Sequence, residues 1–284
     1  SFHPFGCRRC NGMRSILRPL AAFVLFSTLS SADAKSQTCK AEKVTMLPLT
    51  YLNGFMAVAV RLDGKEVMMG IDTGAVTLVT PETSKRFRLD HDERGTRSFG
   101  TTAVTTVSNV FLRNLEFGGK RYESKSVTEI RMPALSAQGK PEARIAGLIG
   151  GDLLSEYDVD LNFPGRSMTL YKVSGCEKVP LPWTEPYISI AVTINRYHVA
   201  LLPVEVDGEK LTGILDTGAT GFAITRQGAR DSGVSAAALK ADPKHAFAGA
   251  GAISDQTVHK FKILAIGGET FRDVSLNIMA TDRK

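Results

Sequence analysis

From about residue 40 onward, apolar positions fall in short runs broken by Gly, Pro, Asp and Asn, and long amphipathic helical patterns are few. Runs of that length, rich in Val and Thr, predict strands joined by tight turns. Phe55-Met-Ala-Val-Ala-Val-Arg-Leu62, the pair Asp63-Gly64 and the stretch Lys65 to Ile71 predict a hairpin closed by an Asp-Gly turn. Thr77 to Thr80 predicts a further strand, and Pro81-Glu-Thr-Ser84 the start of a short helix. A polar stretch from His91 to Arg97 follows. Residues 99–107 predict an exposed hairpin, and Val110 to Phe117 and Tyr122 to Ile130, joined at Gly118-Gly119, predict another. Residues 131–143 read as a loop. Ala146 to Leu154 is mostly apolar, and Tyr157 to Tyr171 predicts two strands around Pro164-Gly165.

This order then repeats. Val204-Glu-Val-Asp-Gly208 parallels Val60-Arg-Leu-Asp-Gly64, and Gly213-Ile-Leu-Asp-Thr-Gly-Ala219 parallels Gly70-Ile-Asp-Thr-Gly-Ala75. Gly64 and Gly208 stand 144 residues apart, as do Asp72 and Asp216. Further on, Phe261-Lys-Ile-Leu-Ala-Ile-Gly-Gly268 parallels Leu112 to Gly119 at an offset of 149, a net insertion of five residues after the second Asp-Thr-Gly. Ala248 to Ala252 falls where Phe99 to Ala103 fell. A counterpart of Gly147-Leu-Ile-Gly150 at that offset falls near 296, beyond Lys284, so the second copy is expected to be C-terminally incomplete. The division is therefore 1–34 as upstream residues and signal peptide, 35–171 as a first lobe, 172–197 as a linker with Pro180, Pro182 and Pro186, and 198–284 as a second lobe. Trp183, within that linker, is expected to pack between the lobes.

Composition supports a folded chain: of 284 residues, 43% are apolar and 23% charged. Arg14 and Arg18, the run Leu20 to Phe26 and the exit Ala32-Asp-Ala34 are the three parts of a secretory signal peptide, with cleavage expected after Ala34. The apolar run is shorter than the roughly 20 residues that cross a bilayer, so no membrane association is expected after cleavage. Residues 1–12 precede Met13 and are set aside. Residues 1–34 carry +3 of the net charge of +6, and no basic block stands out in the rest, so nucleic acid is unsupported as a partner. Cys7 and Cys10 form a lone C-x-x-C with no second pair. Cys39 and Cys176 flank the first copy, either as one disulfide tying its two ends together in an oxidising compartment or as two free thiols.

The repeat carries the chemistry. Two carboxylates delivered by two copies of one strand–turn unit can be brought face to face by a pseudo-two-fold axis, where a pair of Asp side chains shares one proton and activates a water. Other constellations are missing: there is no H-E-x-x-H and no G-x-S-x-G, and the five His are scattered without ligand spacing. Asp152, Asp158 and Asp160 read as turn and strand-edge residues.

Asp72-Thr73-Gly74-Ala75 with the later Leu148-Ile149-Gly150, continuing into Gly151-Asp-Leu-Leu154 and Tyr157-Asp-Val-Asp-Leu161, resembles the retropepsin-like branch of the pepsin-type aspartic proteases in its two-repeat, secreted bacterial form. The second copy carries the Asp216-Thr217-Gly218-Ala219 mark. The resemblance covers about residues 45–171 and 198–280. It implies an all-β fold of two pseudo-symmetric acid-protease-like β-barrel lobes with the active site between them. It also implies Asp72 and Asp216 as a catalytic dyad, Thr73 and Thr217 bonded across the interface, and Gly74 and Gly218 admitting backbone N–H groups to the carboxylates. The hairpins near 99–107 and 247–255 would be flaps, and neither metal nor organic cofactor is needed. The expected function is an exported endopeptidase, periplasmic or extracellular, acting on peptide or protein substrates as a monomer with intrachain lobe pairing. Two alternatives stand beside it: a catalytically silent relative that binds peptides or serves as a scaffold, and pairing of each lobe with a partner chain's lobe.

Overall fold

A computed structural model of the chain describes residues 39–99, 104–132, 145–176, 186–219, 221–248 and 253–279. The signal-peptide segment, Cys7, Cys10, Trp183, most of the 131–143 loop and the tips of both expected flap hairpins lie outside the described residues. In chain order the elements are β1 (Lys40–Pro48), β2 (Thr50–Leu52), β3 (Phe55–Leu62), β4 (Lys65–Asp72), β5 (Leu78–Val79), α1 (Pro81–Phe87), β6 (Asp90–Phe99), β7 (Val104–Phe117), β8 (Lys120–Glu129), β9 (Ile145–Gly150), α2 (Gly151–Leu154), β10 (Asp158–Asn162) and β11 (Ser167–Ser174). The second half adds β12 (Thr193–Ile194), β13 (Ala200–Val206), β14 (Glu209–Ile214), β15 (Ala223–Thr225), α3 (Arg226–Asp231), α4 (Ala236–Ala241), β16 (Lys244–Ala248), β17 (Ile253–Ile266) and β18 (Glu269–Met279). The fold is predominantly β, as expected.

Both Asp-Gly turns form as the pattern predicts. Asp63 and Gly64 take φ of 49° and 75°, and Asp207 and Gly208 take 48° and 89°, the left-handed pair that matches the twist of a two-residue hairpin. Each Asp also ties its turn to the same later strand. Asp63 N–H donates to Asn114 O at 2.9 Å, and Asp207 N–H donates to Ile263 O at 3.0 Å, so the 149-residue offset read in the sequence is a structural register.

The first lobe closes. Strands β3, β4, β9, β5, β8 and β7 pair in turn, and β7 returns to β3 through Arg61↔Glu116 and Leu62↔Leu115. Alternation on β3 sends Val58, Val60 and Leu62 into the barrel core with Met69, Ile71 and Leu112, while Phe55 and Ala57 join a second cluster on the opposite face with Leu78 and Leu148. Strand β9 lies between β4 and β5 and is buried along its whole length, contributing Ala146 and Ile149 to one cluster and Ile145 and Leu148 to the other. Burial on both faces is the reason this segment reads as a continuous apolar run instead of an alternating one.

The second lobe is a seven-stranded sheet ordered β12-β13-β17-β18-β15, with β14 on β13 and β16 on β17. Its core is smaller, built around Phe261, Leu264, Leu276 and Ile278. Among the described residues no strand bridges β14 to β15 as β9 bridges β4 to β5. Helix α3 stands where α1 stands in the first lobe, and the five-residue insertion accompanies α4; neither helix was in the strand-based reading. Thr225 and Ser235 cap them, accepting from Gly228 N–H and Ala238 N–H. The polar stretch 91–97, to which the sequence assigned no element, belongs to β6, paired with β7, where Asp92 accepts from Arg94 and from Ser126 Oγ.

Strands β1, β11 and β10 form a separate three-stranded sheet. Strand β11 runs to Ser174 and β12 joins the second sheet at Thr193, so ordered strands reach into the 172–197 linker from both sides. Cys39 and Cys176, beside the paired Lys40 and Ser174, form a disulfide with Cα atoms 4.3 Å apart. It closes 137 residues, a large loop to deny the unfolded chain. Cys39→Ser is expected to lower unfolding free energy by about 2–5 kcal/mol. Urea unfolding without reductant checks this, and an unchanged midpoint would refute it.

Candidate active site

Strand β4 delivers Asp72 at its last residue, opposite Gly150 in the parallel pairing with β9. The chain then crosses the end of β9 and comes back on its other side as β5, antiparallel to β9 at Leu78↔Leu148. Asp72 to Val76 is thus a loop straddling one strand end, and contact between backbones holds it there. A Cβ on Gly150 would lie 2.3 Å from Val76 C and 2.5 Å from Ala75 O, and Gly151 N–H donates to Ala75 O at 2.8 Å. Only glycine permits that approach. This is the structural content of the apolar-apolar-Gly mark at residues 148–150.

Asp216 is presented by the corresponding loop after β14, and the two loops meet. Thr73 N–H donates to Thr217 Oγ1 and Thr217 N–H donates to Thr73 Oγ1, each at 3.1 Å. Thr73 Oγ1 in turn donates to Leu215 O at 2.7 Å, and Thr217 Oγ1 to Ile71 O at 2.9 Å. Each hydroxyl both accepts and donates across the lobe boundary, a reciprocal set that a threonine on one side alone cannot make.

The carboxyls lie inside this clasp. Gly74 N–H donates to Asp72 Oδ1 and Gly218 N–H to Asp216 Oδ1, both at 2.9 Å. Each glycine also faces the opposite acid: a Cβ on Gly74 would sit 2.4 Å from Asp216 Cγ, and one on Gly218 would sit 2.5 Å from Asp72 Cγ. The structure therefore brings together all six residues singled out in the two Asp-Thr-Gly phrases.

Their surroundings are unequal. Asp72 is 8% exposed, whereas Asp216 is exposed. Strand β9 covers the first loop, and no described strand occupies that place beside β14. Burial pushes the Asp72 carboxyl from 3.8 up to about 8, the neighbouring Asp216 carboxyl adds to the rise, and N–H donation from Gly74 and Ala75 opposes it. The pair titrates as a unit. Such a pair can hold one proton at mildly acidic to neutral pH, offering an acid and a base to one small polar reactant.

Three residues that no reading of motifs singled out for the site support the first loop. Thr77 donates through N–H and through Oγ1 to Asp152 Oδ1, each at 2.7 Å, and Lys125 Nζ pairs with Asp152 Oδ2 at 2.9 Å. Asp152 was visible only as a turn residue, although it stands two residues after the glycine of the apolar-apolar-Gly mark. Asp158 and Asp160 remain on β10, away from these contacts. The hairpins expected to be flaps form paired arms, β6 with β7 and β16 with β17, and their tips lie outside the described residues. Among the described residues no group of three or more His, Cys, Asp or Glu side chains converges on a metal site.

Comparison with known proteins follows the repeat. A search of curated proteins found no match. A crystal structure of a retropepsin-like aspartic protease from Rickettsia conorii is similar over 48% of this chain and 96% of that one, at 14% identity and a TM-score of 0.33. The family model described as aspartyl protease matches residues 58–153 and again residues 202–284, more than half of the chain, with one Asp-Thr-Gly loop in each stretch. The chain belongs to the aspartyl protease family.

Proposed function

We propose that the chain is an aspartic endopeptidase in which Asp72 and Asp216 activate a water against a peptide bond. One observation carries this reading: each loop places a glycine against the other loop's carboxyl, so two acids from two lobes share one space. With a single proton on the pair, the ionised carboxyl takes a proton from water as the oxygen attacks the peptide carbonyl. The protonated carboxyl donates to the carbonyl oxygen, and the pair then passes a proton to the leaving nitrogen. Burial favours Asp72 as the proton's resting place. The threonine clasp joins two lobes of one chain, which supports a monomeric enzyme. The basic-apolar-AxA pattern of residues 14–34 and the Cys39–Cys176 bond support export to the periplasm or beyond.

The test is peptide-library cleavage between about pH 3 and 7, the range in which a carboxylate pair holds one proton, with Asp72→Asn and Asp216→Asn in parallel. Cleavage by the unsubstituted chain, lost in both variants, is the expected result. Cleavage surviving in either variant would overturn the dyad. A folded wild-type protein that cuts nothing but still binds peptides would indicate the silent relative instead.

A further inference from the structure

Resting on that reading of the dyad, we infer that Asp152 is a positioning residue for catalysis: it sets the course of Ala75–Thr77 and so aims the Asp72 carboxyl. The chain leaving Asp72-Thr73-Gly74 has to turn back within three residues to enter β5. Asp152 Oδ1 receives two donors from one residue at the end of that turn, Thr77 N–H and Thr77 Oγ1, both at 2.7 Å. Thr77 Oγ1 meanwhile accepts Gly150 N–H at 3.1 Å, so the hydroxyl links the loop to β9 as well as to α2. Thr77 is 1% exposed, and hydrogen bonds to an ionised acceptor in such surroundings are short and strong. Lys125 on β8 occupies the remaining oxygen, Oδ2, at 2.9 Å. Every oxygen of Asp152 is thereby committed, and three elements (β5's approach, β9–α2 and β8) converge on one carboxylate.

The consequence reaches Asp72 through Ala75. Its carbonyl is held by Gly151 N–H, next to Asp152, and its N–H is one of the donors to the Asp72 carboxyl. A shift of the 75–77 segment thus alters the donors around the acid without touching the acid itself. Among the described residues the second loop has no carboxylate in that place; its exit is bonded instead at Phe222 O, which accepts Asn277 N–H at 2.9 Å and Asn277 Nδ2 at 3.1 Å. Gly221 stands 144 residues after Thr77 and has no hydroxyl to offer. The two acids differ in support as well as in exposure: among the described residues a carboxylate, that of Asp152, fastens the segment after the first acid, while the segment after the second is bonded through a backbone carbonyl, Phe222 O, to Asn277.

The experiment compares the full chain with Asp152→Ala, Asp152→Asn and Thr77→Val. It reads kcat and KM separately, the pH–rate profile, the folded fraction, and the titration of the Asp72 carboxyl by carbon-13 aspartate labelling. Asp152→Ala is expected to lower kcat by about 100-fold, the cost of a misplacement near 1 Å, with KM little changed and the pH profile displaced. Asp152→Asn keeps an oxygen for both Thr77 donors while discarding the charge, and is expected to recover most of kcat and the wild-type titration. Thr77→Val is expected to follow Asp152→Ala, and it decides the matter if Asp152→Ala does not fold. A folded Asp152→Ala or Thr77→Val with unchanged kcat and unchanged Asp72 titration would overturn the inference. So would a loss of activity that only tracks the folded fraction. If the wild-type chain cleaves no peptide, the proposed function fails, but the Asp72 titration still tells whether Asp152 positions that carboxyl.

Discussion

A single methyl group at Gly74 or at Gly218 is expected to abolish peptide cleavage as completely as removal of an acid. The reason lies across the lobe boundary. The added Cβ of Gly74→Ala would stand 2.4 Å from Asp216 Cγ and 2.6 and 2.8 Å from its oxygens, while that of Gly218→Ala would stand 2.5 Å from Asp72 Cγ. Real carbon contacts do not approach this closely, so the opposite carboxyl has to move. Neither loop can retreat cheaply, because Thr73 and Thr217 bind them together through four hydrogen bonds of 2.7–3.1 Å. Overpacking of this kind costs about 1–3 kcal/mol of stability, and the displaced acid no longer shares a proton with its partner. Steady-state cleavage alongside thermal unfolding separates the two effects. The expected pattern is a modest loss of melting temperature with cleavage at background. An alanine variant at either position that cuts peptide within about tenfold of wild type would contradict a requirement for positioning, which is worth far more than that.

Asp72→Asn is expected to gain stability over wild type as the pH rises from about 4 to about 8. Folding moves the Asp72 carboxyl from 3.8 to about 8 through burial first and the Asp216 carboxyl second. Between those values the native chain keeps a proton that the unfolded chain has released. Stability from this group is complete at low pH and falls as pH rises through the window, by about 1.4 kcal/mol per pH unit. Asparagine carries no proton to lose, so the variant escapes the fall. The difference in unfolding free energy between variant and wild type should widen steadily across the window and level off above it. Urea unfolding at a series of pH values measures it. A difference that stays flat with pH would mean that Asp72 is not a buried, proton-holding acid, and with it would go the assignment of the resting proton.

Particular residues show where reading the chain succeeds. The two Asp-Gly turns were legible because a two-residue hairpin demands left-handed backbone at both positions, and Asp-Gly meets that demand locally. Pro81 announced α1 for the same kind of reason, since proline suits the first helical turn, and in the structure Thr80 Oγ1 caps that turn by accepting Thr83 N–H. The pairing of the two Asp-Thr-Gly loops was legible because a repeat in register implies two copies of one geometry. Other features were out of reach. Strand β6 read only as a polar stretch because its pairing with β7, not its own composition, makes it a strand. Helix α3 repeats α1 behind a threonine cap, but α4 has no counterpart in the first copy to serve as a template. The bonds from Thr77 to Asp152 span 75 residues, and nothing in either neighbourhood announces the other.

By itself, then, the sequence determined the Asp-Gly hairpins of each lobe, the repeat that relates them and the residues of the two paired loops, since all of these rest on local backbone preference and on a pattern stated twice. Tertiary structure alone decided how unlike the two copies become. It buried Asp72 beneath β9 and left Asp216 exposed, it set each glycine against the other loop's carboxyl, and it committed Asp152 to the loop that holds Asp72. The physical reason is that a carboxyl's proton affinity depends on what surrounds it in space, and the groups that surround Asp72 come from far along the chain, Asp216 and Gly218 of the second loop among them.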